Sequence, residues 1–414
     1  MAKRPGIFPT FFLSGFECST FLWRDRRRRD LVAETRHREH ALEDYRMLQE
    51  LGIAVAREGI PWPMVDRDGS YDFALLAPVI DAMRQTRIAP VWDLCHYGYP
   101  DDLDPFSDRF TARFANYCRA SAEFVARHLP GPYFFTPINE ITFFAFCGGE
   151  WGWVAPYRNT RDDRHGLRLA LCKAAIAGTQ AIREVLPDAR MIHVDPLVQV
   201  IAPADRPDLR DAAWHETFVD TYVAWDVLYG KLHPEFGGSP EVLDIVGVNN
   251  YSFGQMEYRE SGPHKALEPG HPGIQPLCSL LARVWERYRR PMVIGETSGL
   301  HHGRVDWLRD VMNEAMAAVN QGMDLHGVCL FPAVDMPDWH TGEWLHNGIC
   351  DLEPRDGDLA RVPYQPYVDE LRRWQRELNR VTAVDEDPLS DPVELQDVVD
   401  AARRLQPQPD ANWH

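Results

Sequence analysis

The chain has 414 residues, 45% of them hydrophobic, with 44 Lys and Arg against 62 Asp and Glu and a formal net charge of −18. So acidic a chain repels phosphate backbones and anionic lipid surfaces, which argues against a nucleic-acid or membrane role. No stretch is long and uncharged enough to form a membrane-crossing helix.

The first apolar stretch, FFLSGF at 11–16, follows a basic start, but it is short, Pro9 stands just before it and no small-residue cleavage site follows; it reads as a first strand, not a leader. A helix is expected over 39–51, where Ala41, Leu42, Tyr45, Leu48 and Leu51 share one face and Gly52 ends the run. A strand at 53–58 (IAVARE) precedes a helix at 73–86, in which Leu75, Leu76, Val79, Ile80 and Met83 repeat the pattern. The alternation continues with strands at 88–94, 133–139, 190–195, 244–250, 291–296 and 326–332. Helices are expected at 108–128, 166–187, 211–229, 276–289, 304–320 and 364–378. Each strand is brief, apolar or β-branched and bounded by polar residues, as strands buried on both faces are.

Eight such units imply a parallel sheet with right-handed crossovers, closed into a barrel. An open doubly wound sheet would carry a glycine-rich nucleotide loop at its first turn; SGFECSTFLW has none, and no phosphate-binding G-x-x-x-x-G-K-[ST] occurs. The expected fold class is α/β, a single (β/α)8 TIM barrel over 1–380 with a short, acidic, Pro-containing C-terminal appendage over 381–414. The basic run from Arg24 to Arg29 reads as a solvated first βα loop whose charges pair with nearby acids. The eight cysteines are scattered without a C-x-x-C pair. Cys95, Cys329 and Cys350 sit in apolar surroundings, which suits buried thiols in a reducing cytoplasm.

In such barrels the chemistry lies at the C-terminal ends of the strands. Strand 2 ends in Arg57-Glu58, and strand 3 in Asp93 followed by His96-Tyr97. Strand 4 ends in Asn139-Glu140, strand 6 in Asn249-Asn250-Tyr251 and strand 7 in Glu296. Strand 8 leads into Asp335, Asp338, Trp339 and His340. Carboxylates on strands 4 and 7 face each other across a barrel mouth. Two such groups about 5–5.5 Å apart are what hydrolysis of a glycosidic bond with retention needs, one as acid and the other as nucleophile. Arg57 can keep the nucleophile ionised and the Tyr251 phenol can donate to it. The like charge of the nucleophile raises the acid's pKa until glycosylation removes it.

At these residues the chain resembles glycoside hydrolase family 1, the β-glucosidase type, from about 11 to 353. Asn139-Glu140 matches the N-E of its strand 4, although Ile141 replaces Pro. Ile294-Gly295-Glu296-Thr297-Ser298-Gly299 resembles I-T-E-N-G. His96-Tyr97-Gly98-Tyr99-Pro100 stands for H-W-D-L-P, Ala56-Arg57-Glu58-Gly59-Ile60-Pro61-Trp62-Pro63 for Y-R-F-S-I-x-W-P, and Gly247-Val248-Asn249-Asn250-Tyr251 for G-x-N-Y-Y. The resemblance implies a retaining β-glycosidase with Glu140 as acid/base, Glu296 as nucleophile, and Arg57 and Tyr251 in support. It also implies that Asn139 binds the sugar 2-hydroxyl and His96 a neighbouring one. Leu22 stands where the family has a sugar-gripping Gln, and Glu17 is the candidate to take over. Phe331 stands for the strand 8 Trp floor and Asp338-Trp339 for a Glu-Trp pair.

Trp151, Trp153, Tyr157, Trp339 and Trp344 lie on loops after strands 4 and 8, where sugar faces stack on rings; Trp151 and Trp339 are taken as substrate contacts. His301-His302 and His340/His346 lack metal-site spacing, so neither a metal nor another cofactor is expected. The expected partner is a carbohydrate, with self-association open. A transglycosylase using the same residues, or a sugar-binding barrel without turnover, are the alternatives.

Overall fold

The structure, a computed structural model, describes residues 6–384, with side chains through 380. Eight strands pair in parallel: β1 (Phe12–Gly15), β2 (Val55–Gly59), β3 (Ala89–Asp93), β4 (Phe134–Thr136), β5 (Arg190–Pro196), β6 (Ile245–Asn249), β7 (Met292–Thr297) and β8 (Leu325–Leu330). β1 pairs with β8 through Leu13 and Cys329 and with β2 through Gly15 and Arg57, which closes the ring. The main helices are α1 (His37–Glu50), α2 (Ala77–Thr86), α3 (Asp108–His128), α4 (Arg161–Val185), α5 (Val223–Tyr229), α6 (Leu277–Tyr288), α7 (Arg304–Asn320) and α8 (Gln365–Val384). This is the expected (β/α)8 barrel. The barrel unit runs from Gly6 to Glu370; from Leu371 a second unit begins, described here only as the remaining helical run to Val384. The expected appendage lies, from 385 onward, outside the described residues.

The barrel is filled by one inward side chain or two per strand. Leu13, Val55, Val91, Phe134, Val194, Val293 and Cys329 are all buried together. Each fully buried aliphatic or aromatic side chain contributes about 1.5–3 kcal/mol, so the interior is a packed core and not a channel. Gly247 shows how tight it is, because a Cβ there would stand 2.2 Å from the Val194 side chain.

The expected elements differ from the observed ones at a few places. β4 stops at Thr136 and not at 139, since Pro137 offers no N–H to a ladder. The expected helix 211–229 is broken: Arg210–Phe218 and α5 are separated by a 3-10 turn at Asp220–Tyr222, where Val219 leaves helical geometry at φ −117° and ψ −65°. The first βα connection is an antiparallel hairpin, Thr20–Leu22 with Arg28–Asp30, and not a plain loop. Two of its charges pair with acids, Arg29 with Glu34 at 2.6 Å and Arg28 with Asp101, while Arg24 and Arg26 lie over the rings of Trp23 and Tyr157. A second hairpin joins Cys350–Arg355 to Asp358–Pro363.

Alternation along β2 sends its two charged residues to opposite faces. Arg57 points into the barrel mouth, whereas Glu58 accepts hydrogen bonds from the helix layer, with His37 Nε2 at 2.9 Å and Tyr45 Oη at 3.1 Å. His37 also meets Asp44 at 2.7 Å. Burial opposes charge on this ring, but Glu58 and Asp44 outweigh it and hold its pKa at about 9.

Candidate active site

Arg57 organises the mouth. Its Nη1 donates to Glu296 Oε1 at 2.7 Å and to the Gly295 carbonyl at 2.9 Å; its Nη2 donates to Asp93 Oδ2 at 2.6 Å and to Asn139 Oδ1 at 2.9 Å. One guanidinium thereby ties β2 to β3, β7 and the chain after β4, and the planar fork is what lets it do so. The cation lies 5.1 Å from the Phe331 ring centre, and that ring stacks near His96. Burial works against charge on Asp93, but Arg57 and His96 hold its carboxyl below the usual range.

Glu296 is buried, and its second oxygen accepts from Tyr251 Oη at 2.8 Å. A strand irregularity places Tyr251: the β6–β7 register shifts between Val248 and Asn249, so that Asn249 comes level with Glu296. Gly295 makes room for this, since a Cβ there would lie 2.9 Å from Asn249 Oδ1.

Glu140 caps a short helix, Ile141–Ala145, in left-handed geometry, φ 44° and ψ 62°. Its amide is fixed by the Val194 carbonyl at 3.1 Å, and the next turn is held by Asp195, which accepts from the Thr142 amide at 2.9 Å and hydroxyl at 2.6 Å. Its carboxylate accepts from Asn249 Nδ2 at 2.9 Å and from Tyr97 Oη at 2.5 Å. Burial, and next the charge of Glu296, push the Glu140 pKa up to about 8 against the pull of those two donors. The two carboxylates thus feel each other while both are buried, one held by a cation and a phenol, the other only by neutral donors.

Asn139 is fully buried; beyond Arg57 it reaches Tyr97 Oη at 3.1 Å and His96 Nε2 at 3.0 Å through its amide nitrogen. Burial lowers the His96 pKa, but Glu17 and Asp93 override this and raise it to about 9. The Asn139 contact needs an unprotonated Nε2, so a second proton on the ring replaces that bond with a donor–donor contact and favours an incoming oxygen there. Glu17 lies 3.8 Å from His96 Nε2 and accepts from the Ser19 amide at 3.0 Å.

The remaining expected contacts lie in an aromatic rim. The Trp339 ring stands 4.5 Å from Phe21, 5.5 Å from Tyr97 and 6.1 Å from Phe143, and its buried indole nitrogen has no partner among the described residues. Trp151 joins through Phe143 at 6.4 Å and Trp153 at 4.6 Å. Asp338, expected among the substrate-binding residues, also orders its own turn: its Oδ1 accepts from the His340 and Thr341 amides at 2.8 and 2.7 Å. Leu22 lines a cavity of about 290 Å³ beside Arg26, Tyr97 and Tyr157.

Asp93, Tyr97 and Asn249, noted in the sequence as lying at strand ends but given no role there, belong to this constellation. Asp93 and Asn249 stand at strand ends, which was signal enough; nothing in the sequence tells that Tyr97 reaches Glu140.

No protein-family model matches the chain. β-Glucosidase A of Thermotoga maritima is 22% identical, covering 75% of this chain and 80% of that protein. The structure of β-glucosidase from Thermotoga maritima in complex with azafagomine superposes with a TM-score of 0.71 at 18% identity, over 89% of this chain and 98% of that one. The complex with glucoimidazole gives 0.69 over 82% and 87%. The chain has the (β/α)8 fold of these family 1 β-glucosidases and resembles that family in the order of its strand-end motifs.

Proposed function

We propose that the protein is a retaining β-glycosidase working by double displacement. The observation that carries this is the unequal treatment of two neighbouring buried carboxylates, Glu296 between Arg57 and Tyr251, and Glu140 at a pKa of about 8. Glu296 attacks the anomeric carbon while Glu140 protonates the departing oxygen. Once Glu296 is esterified its charge is gone, the Glu140 pKa falls, and Glu140 takes a proton from the water that cleaves the glycosyl-enzyme. Asn139, His96 and Glu17 line the hydroxyl-binding side, with Trp339 and Trp151 on the rim and Asp338 ordering the loop that carries Trp339. The family resemblance and the likeness to β-glucosidases support the reading. Leu22 removes an amide from the sugar side, so the proposal is of a β-glycoside and does not extend to glucose. The eight cysteines, all free and buried, suit a reducing cytoplasm, and among the described residues no helix is long and apolar enough to cross a membrane.

The test is turnover of aryl β-glucoside, galactoside, mannoside, fucoside, xyloside and glucuronide by wild type and Glu296→Gly, with and without azide. We expect the variant to be inactive and to regain aryl release with azide, giving the glycosyl azide of inverted configuration. Undiminished turnover by Glu296→Gly refutes the assignment. Added acceptor alcohols, with products resolved by chromatography, tell transfer from hydrolysis.

A further inference from the structure

We infer that Tyr97 positions Glu140 and sustains its base form, through a phenol that donates to the carboxylate in the second half of the reaction and turns away in the first. The inference rests on Glu140 being the acid/base.

A phenol oxygen has one proton to give and room to accept. At Tyr97 the accepting side is engaged by Asn139 Nδ2 at 3.1 Å, which leaves the proton for Glu140 Oε2 at 2.5 Å. Burial, with the Glu140 and Glu296 charges, pushes the Tyr97 pKa well above 10, so the proton stays on the phenol at any working pH. Glu140 Oε1 already faces the Asn249 amide nitrogen at 2.9 Å. Both carboxylate oxygens therefore meet donors, an arrangement made for an anion. A proton on Oε1 would require the Asn249 amide to turn and present its oxygen, which has no partner among the described residues. A proton on Oε2 is accommodated if the Tyr97 hydroxyl rotates and offers its lone pair, a change that moves only the hydroxyl hydrogen. Tyr97 can thus serve both protonation states of Glu140 by turning a hydroxyl, with no heavy atom displaced.

The backbone supports a dedicated position. Tyr97 has φ 67°, a left-handed conformation costly for an aromatic residue and kept where the surroundings impose it. Its ring is set edge-on to His96, Phe143, Phe144 and Trp339, with centres 4.7–5.7 Å apart. The following residue has to be glycine, because a Cβ at Gly98 would fall 1.5 Å from the Thr20 carbonyl of the first hairpin.

Tyr97→Phe keeps the ring and deletes the hydroxyl. With a dinitrophenyl glycoside, whose leaving group needs no acid, we expect kcat to fall about 10- to 100-fold with KM falling alongside, because the glycosyl-enzyme accumulates. Azide, which attacks without a base, restores kcat. With a poor leaving group, the loss of kcat/KM on the alkaline side moves to higher pH. Glu140→Ala is run beside it. If Glu140→Ala shows azide rescue with retained configuration while Tyr97→Phe leaves kcat, KM and the alkaline limb unchanged, Tyr97 only fills space and the inference is overturned while the assignment of Glu140 stands. If Glu140→Ala turns over normally, both fall. The unsubstituted protein at pH 9, where Glu140 is ionised, gives a second readout independent of how Tyr97→Phe folds: a hydroxyl proton resonance far downfield of the amides, lost in Glu140→Gln. Its absence from wild type likewise overturns the inference.

Discussion

Replacing Arg57 by Met keeps most of the side-chain volume and removes the cation between Asp93 and Glu296. All three groups are buried, so the variant is left with two buried carboxylates that have lost their shared cation, and Asn139 and Gly295 lose the donor they share. Breaking one partner of a buried pair costs about 3–5 kcal/mol. For a barrel of roughly 370 residues the unfolding entropy is on the order of 0.8 kcal/mol per degree, so Tm falls by roughly 4–6 °C at neutral pH. The pH dependence has a definite sign. In the wild type Asp93 is held below its ordinary value, so its stabilising contribution is complete above about pH 4 and is lost as pH falls through the depressed pKa. In the variant burial acts on Asp93 with less opposition, its pKa rises, and acid relieves the penalty. Calorimetry at pH 7.5 and pH 5, at one scan rate, should therefore show a larger gap between wild type and Arg57→Met at pH 7.5. Arg57→Lys, which keeps the charge without the fork, should recover part of the gap. A loss below about one degree, or equal losses at both pH values, refutes the reasoning.

Two further outcomes follow from the same geometry. The Glu140 pKa is raised from 4.5 to about 8, so ionising it costs the folded state stability as pH climbs between those values. Glu140→Gln should gain in Tm over wild type across that window and level off above it, and for poor leaving groups wild-type kcat/KM should decline as pH rises through about 8; an advantage identical at pH 4.5 and pH 9 counts against the assignment. Tyr251→Phe deletes one of the two side-chain donors to Glu296 and should lower kcat about 10- to 100-fold with little change in melting, whereas unchanged kcat means the phenol has no part in the chemistry.

The barrel was legible because its strands are short, apolar and separated by amphipathic helices, a pattern that few other folds share. The hairpins were not. Thr20–Leu22 with Arg28–Asp30 owes its pairing to a charged turn and to backbone bonds such as Thr20 N to the His96 carbonyl, and no apolar alternation announces it. Within the site, residues at strand ends declared themselves, because a (β/α)8 barrel directs them all to one mouth. Those whose use depends on loop conformation did not. Asp338 stood for a family acid, and the capping of its own turn by Oδ1 follows from a loop conformation that no motif announces. Tyr97 read as a departure from a motif Trp, and its reach to Glu140 depends on a left-handed backbone that no local propensity signals.

That same backbone state at Glu140 has a consequence for how the chain drifts over generations. A left-handed φ of 44° is occupied at least cost by Gly or Asn, and a glutamate there carries in addition a carboxylate that its surroundings disfavour. Selection for a durable barrel alone favours replacement at position 140 on both counts. In lineages released from turnover this is the position expected to change first, and towards Gly or Asn. On the proposed reading of Glu140, a glutamate kept there reflects selection for turnover at the expense of how well the barrel holds together.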